Sequence, residues 1–388
     1  MLQNKFSLII AGTFVAVLAG CGSGGGEPAP KVQFTSQVTF GDSLSDVGSY
    51  AVGAVAAAKG GLFTVNPAVR NGPVNWSEHI AATLNLPAPC PAQTGLDGNP
   101  NFGLNVTPVS HPGCTSYAQG GARVTNPAGI GNKNLPTAFG GSATLGQLTT
   151  PVTTQIDRHL TAQGGSFSGT EIVFLLAGGN DAIINTLTYV ATVGQALQGG
   201  GLPAGQAQAA ISGPAAVQAM TTAATELAGY INTKILGKGA KYVVVLNVPA
   251  LSSTPFGVQS EKLIPLPGTQ ALVKQMVDAF NSQLATSLSG SNVLLADLNT
   301  ASTIQIANPA SFGLTNATDP ACKLTVPPAP PNQAVNFLNS SLVCNEATNV
   351  IAGDISHYAF ADTVHPTPFG YALIGLFVSQ NLGAKGWL

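Results

Sequence analysis

The stretch "QVTFGDSLSDVGSY", Gln37 to Tyr50, decides how the rest of the chain is read. A short run with strand character, Val38-Thr39-Phe40, meets Gly41, Asp42 and Ser43. Glycine at such a bend permits unusual φ and close approach of a ligand. Beyond it the pattern reads as the start of a helix, which would aim backbone N–H groups at the serine oxygen and favour negative charge there. A serine in this place is a turn residue, a helix cap, or a nucleophile held at the end of a strand. Choosing among these requires partners elsewhere in the chain.

Working outward, short apolar runs recur at Ile172–Leu176 ("IVFLL"), Tyr242–Leu246 ("YVVVL") and Val293–Ala296 ("VLLA"). Continuous apolar runs this short read as strands buried on both faces. Stretches of helical composition and crossover length lie between them, around Gln206–Leu236 and Thr269–Leu288, and a last helix is expected from Thr367 to about Asn381. Strands alternating with helices imply an α/β fold with a parallel sheet covered on both faces. Residues 87–150 and 309–350, rich in Pro and Gly, break the alternation and read as long insertions. One folded domain, residues 36–388, accounts for the pattern.

Composition narrows the setting. Only 8% of the 388 residues are charged, about a third of the usual share, and the formal net charge is −2. With no basic stripe, binding to nucleic acid through its phosphates is not expected. A surface rich in Ser, Thr, Asn, Gln, Gly and Pro suits an exported protein. Lys5 is followed by an apolar run, Phe6 to Leu18, and then by "LAGC". The run is shorter than the roughly 20 residues a spanning helix needs, and suits a signal peptide over residues 1–21. "LAGC" resembles the bacterial lipobox, which would make Cys21 a lipidation site and, with Gly22 following, direct the chain to the outer membrane of a bacterial envelope. Residues 22–35 read as a Gly/Pro-rich tether. Setting Cys21 aside leaves Cys90, Cys114, Cys322 and Cys344, an even number that reads as disulfides in an exported chain. Proximity favours Cys90–Cys114 and Cys322–Cys344, one in each insertion. None of the four forms a C-x-x-C pair, so no metal site is expected.

In open α/β sheets ligands bind beyond the C-terminal ends of the strands. The polar residues there are Asp42 and Ser43, Asn180 and Asp181, and Asn247. A serine nucleophile needs a base, usually histidine, and an acid to orient it. Of five histidines, His357 and His365 each have an aspartate three residues earlier, Asp354 and Asp362, able to fold back onto Nδ1. Spacing leaves both pairs open, with the second preferred for its Pro-rich turn directly before the last helix. Asp42, Asp46 and Asp181 read as turn or cap residues, Asp181 as a helix N-cap. His79 reads as a partly buried structural residue.

"FGDSLSDVG", "SYAQGGA", "LLAGGND" and "FADTVHP" resemble, in order, the four signature blocks of the GDSL/SGNH hydrolases. The resemblance spans Phe40 to Pro366, and "LNVPALSSTP", "AFNSQL" and "FGLTNATDPAC" are similar to bacterial lipase-like members. It implies a three-layer α/β/α sandwich of flavodoxin-like order. It implies Ser43 as nucleophile, His365 as general base, then acid, and Asp362 as its orienting partner. The oxyanion hole would take the backbone N–H groups of Ser43 and Gly121, with Gly120 the alternative to Gly121, and the Asn180 side chain. The implied activity is hydrolysis of carboxylic esters, possible lipids among them, through an acyl-enzyme with no metal or organic cofactor. A carbohydrate O-deacetylase of the same fold and a non-catalytic surface lipoprotein are the competing expectations.

Overall fold

Successive residues of each central strand feed two different cores, as the period-two geometry of a strand requires. The computed structural model describes residues 31–324 and 340–388, so residues 1–21, Cys21 and residues 22–30 of the expected tether lie outside the described residues. The elements run β1 (Gln37–Gly41), α1 (Gly53–Ala57), α2 (Trp76–Thr83), β2 (Gln93–Asp97), β3 (Asn105–Ser110), α3 (Val152–Ala162), β4 (Ile172–Leu176), α4 (Gly179–Tyr230), β5 (Tyr242–Leu246), α5 (Pro255–Ser260), α6 (Thr269–Ser287), β6 (Leu294–Ala296), α7 (Leu298–Ala307), β7 (Asn316–Pro320), β8 (Tyr358–Phe360) and α8 (Pro368–Lys385).

The central sheet is parallel, in the order β1-β4-β5-β6. A further segment lies parallel to the outer side of β1. Thr39 N–H donates to Thr115 O, Tyr117 N–H to Thr39 O and Gln119 N–H to Gly41 O, at 3.0, 2.8 and 3.2 Å. Counting Thr115–Gln119 as a rudimentary strand gives the order 2-1-3-4-5, which is the flavodoxin-like one. Val38, Phe40, Val173, Leu175, Val243 and Val245 face α3, α4 and α6. Ile172, Phe174, Leu176, Val244 and Leu246 face α2 and α8. The result is the three-layer α/β/α sandwich expected from the sequence.

Some boundaries differ from the sequence reading. The second crossover begins at Gly179, not near Gln206, and forms two helical arms broken at Gly201, where φ is 66°. The intervening "QGGGLPAG" hides the first arm, because Gly and Pro lower helical propensity and mark the break itself. Phe34, assigned to the tether, is buried against Tyr242, with ring centroids 5.1 Å apart. In the first insertion β2 and β3 pair antiparallel, and Cys90 is bonded to Cys114. In the second, Cys322 is bonded to Cys344, and β7 pairs parallel with β8, which lies just beyond the insertion. Both disulfides are the pairings that proximity favours.

Candidate active site

The site lies at the C-terminal end of β1. Gly41 closes that strand with φ of +151°, and a Cβ there would stand 2.3 Å from Leu176 O. Its backbone is gripped from α3. Gln155 Oε1 accepts Gly41 N–H at 2.9 Å, while Gln155 Nε2 donates to Gly41 O at 2.8 Å. The sequence reading missed Gln155, because a polar residue on a helix carries no local sign of a partner 114 positions away.

No helix begins at Ser43, contrary to expectation. Ser45 N–H bonds Asp42 O, Asp46 N–H bonds Ser43 O, and the next helix waits until Gly53. The cause is two aspartates that capture the N–H groups a helix would have used. Asp42 Oδ1 accepts Leu44 N–H, and Asp46 Oδ1 accepts those of Gly48 and Ser49. Short polar side chains of this kind compete with helix formation and favour turns. Both aspartates are turn residues, as read, and burial pushes the Asp42 carboxyl up to about 7 and that of Asp46 up to about 6.

His365 brings its imidazole to this turn from the opposite end of the chain. Its Nε2 lies 2.8 Å from Ser43 Oγ, and its Nδ1 lies 2.6 Å from Asp362 Oδ2. Asp362 Oδ1 accepts the backbone N–H groups of Val364 and His365, so the carboxylate folds back over its own turn. Burial alone would raise the Asp362 carboxyl, but the nearby His365 charge and the donated hydrogen bonds outweigh it and hold the group well below the usual carboxylate range. Phe63 packs on the imidazole, with ring centroids 4.9 Å apart. The other candidate pair does not form this relay: His357 Nδ1 is bonded to Ser356 Oγ at 2.9 Å, with its ring against Phe369.

The expected oxyanion donors sit around the same turn. Gly120 N–H is taken by Asp46 Oδ2 at 2.9 Å, which leaves Gly121 as the better candidate of the glycine pair. Gly120 also has to be glycine, since a Cβ would stand 2.1 Å from the Phe63 ring. Asn180 is the second residue of α4. One hydrogen of its amide nitrogen is fixed by Ala122 O at 2.9 Å, and the other has no acceptor among the described residues. Asp181 is not the N-cap expected of it. Gly178 holds that position, and the Asp181 carboxylate meets Arg123 Nε at 2.8 Å and Val124 N–H at 3.1 Å. An arginine 58 residues away is the better partner for a buried carboxylate than one more helix N–H. Among the described residues no group of three or more His, Cys, Asp or Glu side chains could hold a metal ion.

Polarised in this order, carboxylate to imidazole to hydroxyl, the three side chains can remove the serine proton as its oxygen attacks an electrophile. Comparison with known proteins bears on the family of the chain. Over 174 residues the chain is 24% identical to a protein of Arabidopsis thaliana named GDSL esterase/lipase, covering 42% of this chain and 43% of that one. A second Arabidopsis protein of that name is 26% identical over 117 residues, covering 30% and 29%. The anther-specific proline-rich protein APG of the same plant is 24% identical over 206 residues, covering 52% and 33%. The chain thus spans less than half the length of these relatives. A solved extracellular lipase from Streptomyces rimosus, 16% identical, covers 89% of this chain and 99% of its own with a TM-score of 0.42. The model of one family, GDSL-like Lipase/Acylhydrolase, matches residues 38–378 and so takes in every member of the relay, and the chain belongs to that family.

Proposed function

We propose that this chain is a serine hydrolase that cleaves carboxylic esters through an acyl-enzyme on Ser43. The observation that carries the reading is the continuous relay from Asp362 through His365 to Ser43, at 2.6 and 2.8 Å. Ser43 Oγ attacks the ester carbonyl while His365 Nε2 takes its proton. The negative oxygen that results is received by the N–H groups of Ser43 and Gly121 and by the Asn180 amide. The carbonyl re-forms, and His365 returns the proton to the departing alcohol. Water, deprotonated by the same imidazole, then attacks the acyl-serine, and His365 gives that proton to Ser43 Oγ as the acid leaves. Asp362 stays ionised throughout and steadies the imidazolium, a role its lowered pKa suits.

The test is hydrolysis of a chromogenic ester series, from acetyl to long acyl chains, by the wild type and Ser43→Ala. Turnover that Ser43→Ala abolishes supports the reading, and the chain-length optimum names the acyl group. If neither folded protein cleaves any member, the general esterase reading fails. Release of acetate from acetylated saccharides alone would mark a carbohydrate deacetylase. The proposed site of action is the bacterial envelope, with Cys21 carrying the lipid anchor. Cys21→Ser should then appear in the soluble fraction, and its persistence in membranes would refute that anchor.

A further inference from the structure

Asp362 receives a hydrogen bond that comes neither from the histidine nor from its own turn. Ser341 N–H donates to Asp362 Oδ2 at 2.9 Å, on the same oxygen that His365 Nδ1 engages. The hydrogen bond that reaches the carboxylate is the backbone's, and the buried Ser341 side chain beside it also helps to lower the Asp362 carboxyl. Three residues on, Cys344 is bonded to Cys322. Cys322 N–H in turn donates to Ala361 O, and Ala321 N–H to Phe360 O, each at 2.9 Å. The bridge therefore grips both sides of the carboxylate: the segment that supplies the extra donor and the strand that delivers Asp362. A closed ring results, running Ser341, Cys344, Cys322, Ala361, Asp362 and back to Ser341. Asn66 locks it from outside, donating from Nδ2 to Ser341 O at 3.2 Å and Cys344 O at 2.9 Å. Cys322 and Cys344 are both buried, whereas Cys90 of the other bridge is exposed.

We propose that Ser341 and the Cys322–Cys344 bridge are a positioning unit for the reaction: the disulfide holds the Ser341 amide on Asp362 and so keeps the carboxylate aimed at His365. The proposal rests on the serine-hydrolase reading above. Two donors on one oxygen restrict rotation of the carboxyl group. Without the second, Asp362 has a wider range of orientations and the imidazole is less well held for proton transfer. Among the described residues no hydrogen bond joins Ser341, Cys344, Cys322 or Ala361 to the expected oxyanion donors, so the loss should fall on kcat and leave KM alone.

The experiment compares the full chain with Cys322→Ala/Cys344→Ala and, as a control, Cys90→Ala/Cys114→Ala, each checked for folding. Loss of a hydrogen bond to a charged group is expected to cost about tenfold or more in rate. The first double variant is expected to lose about tenfold or more in kcat at unchanged KM, and the control to keep both. In an Asp362→Ala background, removing the bridge should cost nothing further, because the unit acts through that residue. A folded variant with wild-type kcat overturns the proposal, as does an equal loss in the Asp362→Ala background. Absence of Ser43-dependent turnover in the wild type would instead overturn the hydrolase reading, and this proposal with it. Because buried alanines can prevent folding, the intact chain offers a second readout. In 15N-serine-labelled protein the Ser341 amide signal, identified by its loss in Ser341→Ala, is expected to titrate with the midpoint of kcat/KM. A signal that stays fixed across that range overturns the proposal.

Discussion

Asp46 Oδ2 accepts the backbone N–H of Gly120 at 2.9 Å, tying the nucleophile turn to a glycine pair 74 residues further on. Its other oxygen holds Gly48 and Ser49. Asp46 therefore fixes the distance between Ser43 and the expected oxyanion donor at Gly121. In Asp46→Asn the amide oxygen can keep Gly48 and Ser49, but the amide nitrogen then faces the Gly120 N–H, donor against donor. One misplaced oxyanion donor costs about 10²–10³ in rate. Asp46→Asn is expected to lose kcat on that order while keeping its circular dichroism spectrum. Wild-type kcat would show that the turn does not set the glycine pair.

The relay itself makes a graded prediction. Ser43→Ala and His365→Ala should each remove nearly all turnover with normal folding. Asp362→Asn should lose less than His365→Ala, because the base remains even when poorly oriented. His357→Ala, whose Nδ1 is held by Ser356, should leave kcat/KM unchanged. Equal damage from His357→Ala and His365→Ala at normal stability would refute the assignment of the base.

Asp42 should make the fold less stable as the solution becomes more basic. Burial pushes its carboxyl from the ordinary 3.8 to about 7. A group raised in the folded state contributes stability that is complete below its unfolded value and lost as pH rises through the folded one. Asp46, raised to about 6, acts in the same direction. Asp42→Asn keeps an acceptor for Leu44 N–H and removes the larger part of that loss. Denaturant unfolding at about pH 5 and about pH 8 should then give a smaller stability difference in the variant than in the wild type.

His159 should govern the acid side. It is buried among Phe40, Tyr117 and Phe167, with ring centroids 5.7, 5.4 and 4.6 Å away. Its Nδ1 finds no hydrogen-bond partner among the described residues. Burial lowers the imidazole from 6.5 to about 4, against the opposing charge of Glu171. The unfolded chain therefore takes up this proton first, and stability falls as pH drops from about 6.5 through about 4. His159→Phe fits the aromatic cage and should move the acid-unfolding midpoint to lower pH. An unchanged midpoint would mean that the cage admits the charged ring.

How much of this the sequence revealed depends on distance along the chain. The strands β4 and β5 were legible to the residue, because buried parallel strands are apolar on both faces and bounded by polar turns. The Asp362 and His365 pair was legible because both residues sit in one turn. Its preference over Asp354 and His357 needed the family resemblance, since the spacing is identical. Gln155, Phe63, Asn66 and Ser341 were not legible. Each acts on a partner more than 20 positions away, or through its backbone, and neither leaves a local pattern. The missing helix after Ser43 shows the opposite failure, a local pattern overruled by two aspartates that took its N–H groups.

The aromatic contact between Phe34 and Tyr242 has a directional consequence. Tyr242 opens β5, and Val32 N–H meets Trp387 O beside it, so the chain enters the fold at the N-terminal rim of the sheet. Ser43 stands at the opposite rim, about 17 Å away along a five-residue strand. Lys31, the first described residue, thus belongs to the pole opposite the nucleophile turn. The two ends of β1 therefore divide the labour of the fold: one rim gathers the chain's first described residues and its last, and the other is left free for chemistry.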